Sequence, residues 1–256
     1  MDPDKQKIIN LFNSKVRGNS PDTSSSHDKH DGKAGHWLEK AMGLEPNGNN
    51  EPDIFGYEMK NQTSAKTTWG DWTANEYIWQ MPNSGIANRD EFFQFFGKPN
   101  PAKKGRLSWS GTPVPTYYKD VTPFGQKLDI ADDGSIYIDY DFSLDTRSDK
   151  YSLMPKILQR DDVRLATWDV APAKGKSIKK KLEDKWNQKG FFRCKMTSGI
   201  YDRIEFGPPV DFVTWIKLIK SKDVFFDSGM YLGNNRPYSQ WRSNNSFWDK
   251  FIDEVY

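Results

Sequence analysis

The chain has 256 residues, 36% of them hydrophobic, which is enough for about one or two domains built around a sizeable core. Collagen-like, coiled-coil and fully disordered chains are excluded, and no stretch reaches the roughly 18 uninterrupted apolar residues of a membrane helix. Lys plus Arg number 37 against 35 for Asp plus Glu, so any basic surface must come from clustering rather than from net charge. The N-terminal MDPDKQKIINLFNSK carries acids where an export signal would be basic, and the single Cys194 supports neither an internal disulfide nor a Cys-based zinc site; a reducing cytoplasm is expected. With ten tryptophans, many rings must be buried or stacked on ligand.

In chain order, Ile8, Ile9, Leu11, Phe12 and Val16 fall at near-helical spacing and predict a first amphipathic helix over 4–16. The polar run from Gly18 to Gly35 predicts a mobile loop that holds His27 and His30, with His36 at its edge; ordinary loop polarity explains these histidines better than a metal site. Trp37, Leu38, Ala41 and Met42 then form one apolar face of a short helix over 34–44 that carries Glu39 and ends at Gly43. After the turn-forming EPNGNNEP, the alternation Tyr57-Glu58-Met59-Lys60 predicts a half-buried strand entered through a turn at Gly56.

Further strands are expected over 67–79, 136–142, 191–196 and 201–206, the last two as a hairpin through Thr197-Ser198-Gly199-Ile200. The stretch 80–118 lacks clean periodicity and is expected to bridge two lobes. Past Pro208 and Pro209, the spacing of Phe212, Trp215, Ile216 and Ile219 predicts a core-facing helix.

The chemistry sits at Pro52-Asp53, four residues, then Glu58-Met59-Lys60. Phosphodiester hydrolysis needs a divalent cation to neutralise phosphate oxygens and activate water, and Mg²⁺ takes one or two carboxylates. Asp53 and Glu58 are the candidate metal ligands. Strand alternation puts Glu58 and Lys60 on one face while Tyr57 and Met59 turn to the core, so the Lys60 ammonium stands where it can orient or deprotonate the attacking water. Glu39, fourteen residues before Asp53, is a candidate supporting carboxylate; an exposed helical glutamate is the plainer alternative.

The run from Gly32 through Lys33 to Glu39, followed by Pro52-Asp53-Ile54-Phe55-Gly56-Tyr57-Glu58-Met59-Lys60, resembles the MutH/Sau3AI branch of PD-(D/E)xK endonucleases, most of all the MvaI/BcnI-like type II restriction endonucleases. The similarity continues through Thr63-Ser64-Ala65-Lys66 and is only collinear beyond. It implies an α/β restriction-endonuclease-like fold, with a mixed central sheet flanked by helices and two lobes around a DNA cleft. It implies a Mg²⁺-dependent monomer that cuts double-stranded DNA at a short sequence, leaving 5′-phosphate and 3′-hydroxyl ends. Catalytic roles follow for Asp53, Glu58, Lys60 and Glu39, and DNA contacts for Lys33 and Lys66. A cognate DNA methyltransferase would act on the same site without being a required binding partner. The family carries histidines in its last segment, and this chain has none after His36.

Phosphate contacts give affinity and base contacts give specificity. Lys174, Lys176, Lys179, Lys180, Lys181, Lys185 and Lys189 crowd one stretch, with Lys179 and Lys180 the chosen phosphate contacts; a solvated helix face would look the same. Lys98, Lys103, Lys104 and Arg106 form a second basic group. Arg236, Tyr238, Gln240 and Arg242 are the residue types that read base edges or stack on them. The expected organisation is a catalytic lobe over 1–115 and a DNA-recognition lobe over 116–256. Rival readings are a MutH-like repair nickase, a non-catalytic sequence-specific DNA-binding protein, and a carbohydrate-active protein using two carboxylates and stacked rings, which Lys60 argues against.

Overall fold

A computed structural model of the chain describes residues 2–22, 33–44, 50–61 and 65–256. The expectations for His27, His30, the Lys33 side chain, most of the turn after Leu44, Thr63 and Ser64 fall outside the described residues. The helices are α1 (Pro3–Lys15), α2 (Lys33–Ala41), α3 (Arg89–Phe96), α4 (Lys150–Leu153), α5 (Ile178–Trp186), α6 (Phe212–Lys220) and α7 (Asn245–Lys250). The strands are β1 (Glu58–Asn61), β2 (Lys66–Asp71), β3 (Glu76–Tyr77), β4 (Lys98–Asn100), β5 (Arg106–Trp109), β6 (Phe124–Ile130), β7 (Ile136–Asp145), β8 (Val163–Trp168), β9 (Phe191–Thr197), β10 (Ile200–Gly207), β11 (Phe225–Ser228), β12 (Met230–Tyr231), β13 (Ser239–Asn244) and β14 (Glu254–Val255).

The chain folds into two compact units, each assembled from separated stretches: residues 1–67, 182–212 and 244–256 in one, and 68–181 and 213–243 in the other. The sequence reading draws a single boundary after residue 115 instead, and so does not anticipate that segments far apart in the chain return to complete the first unit.

The first unit holds the sheet β1-β9-β10-β14, in which β1 runs parallel to β9 and the other pairs are antiparallel. This is the mixed sheet expected. The β9–β10 hairpin turns through Ser198 and Gly199, both at positive φ (52° and 82°), as a two-residue type I′ connection requires. One face of the sheet buries Tyr57, Met59, Phe192, Cys194, Ile204 and Phe206 against Ile8, Ile9, Phe12 and Val16 at the first helix and Leu38 and Met42 at the second. Both helices form for reasons visible in the chain. Asp2 caps α1 by accepting the Asp4 N–H, with Pro3 in its first turn. Gly43, at φ 77°, closes α2 while the Leu44 N–H reaches back to the Glu39 carbonyl. On the opposite face Trp186, Phe191 and Trp248 pack ring on ring.

The second unit contains the sheets β3-β8-β7-β6, β11-β13-β2 and β12-β5-β4. Its core is aromatic: Trp168, Trp241, Trp215 and Phe226 meet mostly edge to face. Three expectations need correction here. The run 67–79 is two strands, β2 and β3, rather than one. The stretch 80–118 is no bridge between units: it lies inside the second and carries α3, whose N-cap Asn88 accepts the Glu91 N–H. Helix α6 starts at Phe212 rather than at the prolines, and between them the Val210 N–H donates to the Trp186 carbonyl.

Candidate functional site

The site is built on the edge strand of the mixed sheet. Ahead of β1, Ile54 and Tyr57 exchange both backbone hydrogen bonds across Phe55 and Gly56, which sit at φ 50° and 84°. This tight reversal folds Pro52-Asp53 back along β1. A positive φ at a phenylalanine is costly, and such strain collects at functional sites. Gly190, next to the strand, is needed for space as well as for its φ of 97°: a Cβ there would lie 2.3 Å from the Gly207 carbonyl oxygen. Its own carbonyl accepts the Glu58 N–H.

The reversal brings Asp53 Oδ2 to 2.8 Å from the Met59 N–H, filling a donor on the free edge of β1. Glu58 is 2% exposed. Its Oε1 accepts from Lys60 Nζ at 2.7 Å and lies 3.0 Å from Lys185 Nζ, while its buried Oε2 has no hydrogen-bond partner among the described residues. Burial, with the nearby Glu58 charge adding to it, pushes the Asp53 carboxyl up to about 6, against the Met59 N–H and the ammonium groups of Lys60 and Lys185. Burial drives the Lys60 ammonium in the opposite direction, below the usual lysine range, although Glu58 resists it. Lys60 Nζ also lies 5.1 Å from the Trp186 ring centroid.

Asp53, Glu58 and Lys60 therefore converge, and strand alternation carries Glu58 and Lys60 to the side opposite Tyr57 and Met59. That side is roofed by Lys185 and Trp186, so the expectation of an open strand face is corrected: both faces of β1 are enclosed. Two carboxylates here, one with an unsatisfied buried oxygen, form a hard oxygen donor set suited to a small divalent cation. Glu39 is half-buried on α2. Among the described residues no group of three or more His, Cys, Asp or Glu side chains is arranged to hold a metal ion.

The LlaMI restriction endonuclease family matches residues 16–256. The chain belongs to this family. The type II restriction enzyme ScrFI of Lactococcus lactis subsp. cremoris is 45% identical over an alignment of 271 residues that spans all of both proteins. Among solved structures, restriction endonuclease MvaI in complex with its cognate DNA aligns with a TM-score of 0.54 at 14% identity, covering 98% of this chain and 95% of that one, so the two share a fold. The expected restriction-endonuclease-like α/β fold and the resemblance to type II restriction endonucleases are both borne out.

The remaining candidates of this LlaMI-family enzyme are scattered. Lys66 begins β2, where the Ala65 carbonyl accepts the Asn245 N–H. Lys179 and Lys180 are exposed on α5. The rest of the lysine run divides by task. Lys181 turns inward to the Thr73 carbonyl, Lys185 meets Glu58, and Lys189 pairs with Asp2 and Asp4. The signal for Lys185 was present in the helical period: Ile178, Leu182 and Trp186 form the fully buried stripe, and Lys181 and Lys185 flank it at i+3 and i+7.

Arg236 pairs with Asp71 at 2.8 Å and lies over the Tyr238 ring, while Arg242 pairs with Asp227 at 2.9 Å. Gln240 stands opposite Asp227 across β11 and β13. Trp241, between Gln240 and Arg242, is wholly core and offers no ring to a base. Cys194 is buried, and that burial raises its thiol well above the usual range, which leaves it unreactive.

Proposed function

We propose that this restriction endonuclease hydrolyses phosphodiester bonds of double-stranded DNA at a short specific sequence, with Mg²⁺ held by Asp53 and Glu58. The observation that carries the reading is the meeting of Asp53, Glu58 and Lys60 at β1, where Lys60 holds Glu58 Oε1 and the buried Oε2 has no hydrogen-bond partner among the described residues. A bound divalent cation would neutralise the phosphate oxygens and make water a competent nucleophile near neutral pH. Lys60, fixed between Glu58 and the Trp186 ring, orients the attacking water and balances charge developing at phosphorus. The enclosed walls keep the field of these charges strong.

The first unit holds this centre and takes the catalytic role. In the second, Arg236, Tyr238, Gln240 and Arg242 are the base-reading candidates, and Lys179 and Lys180 the phosphate contacts. The two arginines are already held by Asp71 and Asp227, so each is kept oriented before DNA arrives. Lys33 and Lys66 contact the backbone near the cut, and Glu39 supports the site from α2. The family resemblance supports a cytoplasmic monomer whose cognate methyltransferase modifies the same sequence independently.

Incubating the purified chain with unmethylated phage DNA, with and without Mg²⁺, and sequencing the ends tests this proposal. Discrete fragments with one repeated terminal sequence, formed only with Mg²⁺, are expected. Nicks confined to one strand would favour the repair-nickase reading, and sequence-specific binding with no cutting would favour a non-catalytic one.

A further inference from the structure

Helix α5 ends over the outer face of β1 and sets Lys185 Nζ 3.0 Å from the same Glu58 oxygen that Lys60 holds at 2.7 Å. One carboxylate oxygen thus carries two ammonium groups, while its twin, Oε2, has no hydrogen-bond partner among the described residues. A carboxylate oxygen has lone pairs for two donors, but two cations gathered at one oxygen repel each other. Counting charges gives the reason for tolerating this. Asp53 and Glu58 oppose Lys60 and Lys185, so the enclosed site is neutral without a divalent cation. Adding a dication leaves two positive charges in excess, and a bridging phosphodiester supplies only one negative charge.

The two lysines are not equally able to yield. Lys60 is strand-borne, boxed by Glu58 and the Trp186 ring, and its side chain is 13% exposed. Lys185 stands at the last turn of a helix on a flexible four-carbon stem, with 19% exposure.

We propose that Lys185 is a positioning residue, the resting counter-ion of Glu58, which holds that carboxylate in the metal-free enzyme and competes with the divalent cation for it. The inference rests on Glu58 being a metal ligand. Its consequence is coupling: metal alone must displace an ammonium, whereas metal arriving with the anionic DNA backbone restores part of the charge balance. Lys185 therefore discourages loading of the enzyme with metal before DNA is in place.

Calorimetric titration of Mn²⁺ into the DNA-free protein tests this without reference to activity. Lys185→Gln and the stem-preserving Lys185→Met are expected to lower the Mn²⁺ Kd by about three- to tenfold, whereas Lys185→Arg, which keeps the charge, stays within about twofold of the wild type. A residue that merely supported the fold would shift affinity the other way. Unchanged or weaker Mn²⁺ binding in whichever neutral variants fold, with binding lost in Glu58→Gln, overturns the role of Lys185 alone. Wild-type Mn²⁺ binding by Glu58→Gln overturns the metal-ligand reading, and this inference with it.

Discussion

Strands β1 and β13 follow the same period of two and use it in opposite ways. In β13 the buried positions are Ser239, Trp241 and Ser243, while Gln240 and Arg242 lie half-exposed between them, each near Asp227 of the neighbouring strand. In and just before β1 the apolar positions Met59 and Tyr57 face the core, yet the charged positions Glu58 and Lys60 are enclosed too, under Lys185 and Trp186. A strand that turns its polar side to solvent needs no further explanation. Burying a carboxylate with one oxygen unsatisfied, beside a second carboxyl and two ammonium groups, lowers stability, and proteins keep such arrangements where chemistry requires them.

The contrast can be broken most forcefully at Trp241. Trp241→Ala removes a ring packed against Trp168, Trp215 and Phe226 and is expected to destabilise the enzyme by about 3–5 kcal/mol in urea denaturation. Its neighbour Arg242→Ala should cost far less stability and instead relax the cleavage preference at one base pair, by about 1–3 kcal/mol of discrimination. A loss of stability at Arg242 as large as at Trp241 would remove the distinction between the two sides of β13.

A smaller effect of opposite sign is expected in β1. The Asp53 carboxyl lies at about 6 in the fold against an ordinary value of 3.8, so ionising it opposes folding. That penalty is absent below about pH 4, grows between about 4 and 6, and is complete above about 6. In metal-free solution Asp53→Asn should therefore be more stable than the wild type at pH 8, by roughly 1–3 kcal/mol, with the gain vanishing at pH 4. Equal stability at both pH values would mean that the Asp53 carboxyl is not buried beside Glu58 in the folded protein.

Much of this was legible in the chain. The alternation of Tyr57-Glu58-Met59-Lys60 declared both the strand and the side its charges share, and the Thr197-Ser198-Gly199-Ile200 turn declared its hairpin. What escaped was long-range. That the Trp186 end of α5 covers β1 follows from the parallel pairing of β1 with β9, which begins just past that helix, and no local pattern announces a parallel partner some 130 residues away. For the same reason the lysine run reads as one surface, whereas its members divide between solvent, the Thr73 carbonyl, Glu58 and the acids at the start of α1. Helix α3 was missed although Asn88 and Glu91 mark its start, because its closely spaced phenylalanines obscured the period. Trp241 shows the limit of residue type: it stands between two base-reading candidates, yet its position in β13 makes it core.

The proposed catalytic centre is the trio Asp53, Glu58 and Lys60. Its most direct test is single-turnover cleavage of an unmethylated plasmid bearing the recognition sequence by Asp53→Ala and Lys60→Ala in saturating Mg²⁺, with duplex binding measured in parallel in Ca²⁺. Both variants should fold and bind the duplex, and should cut it at least about 100-fold more slowly than the wild type. Cleavage at the wild-type rate by both would contradict the assignment.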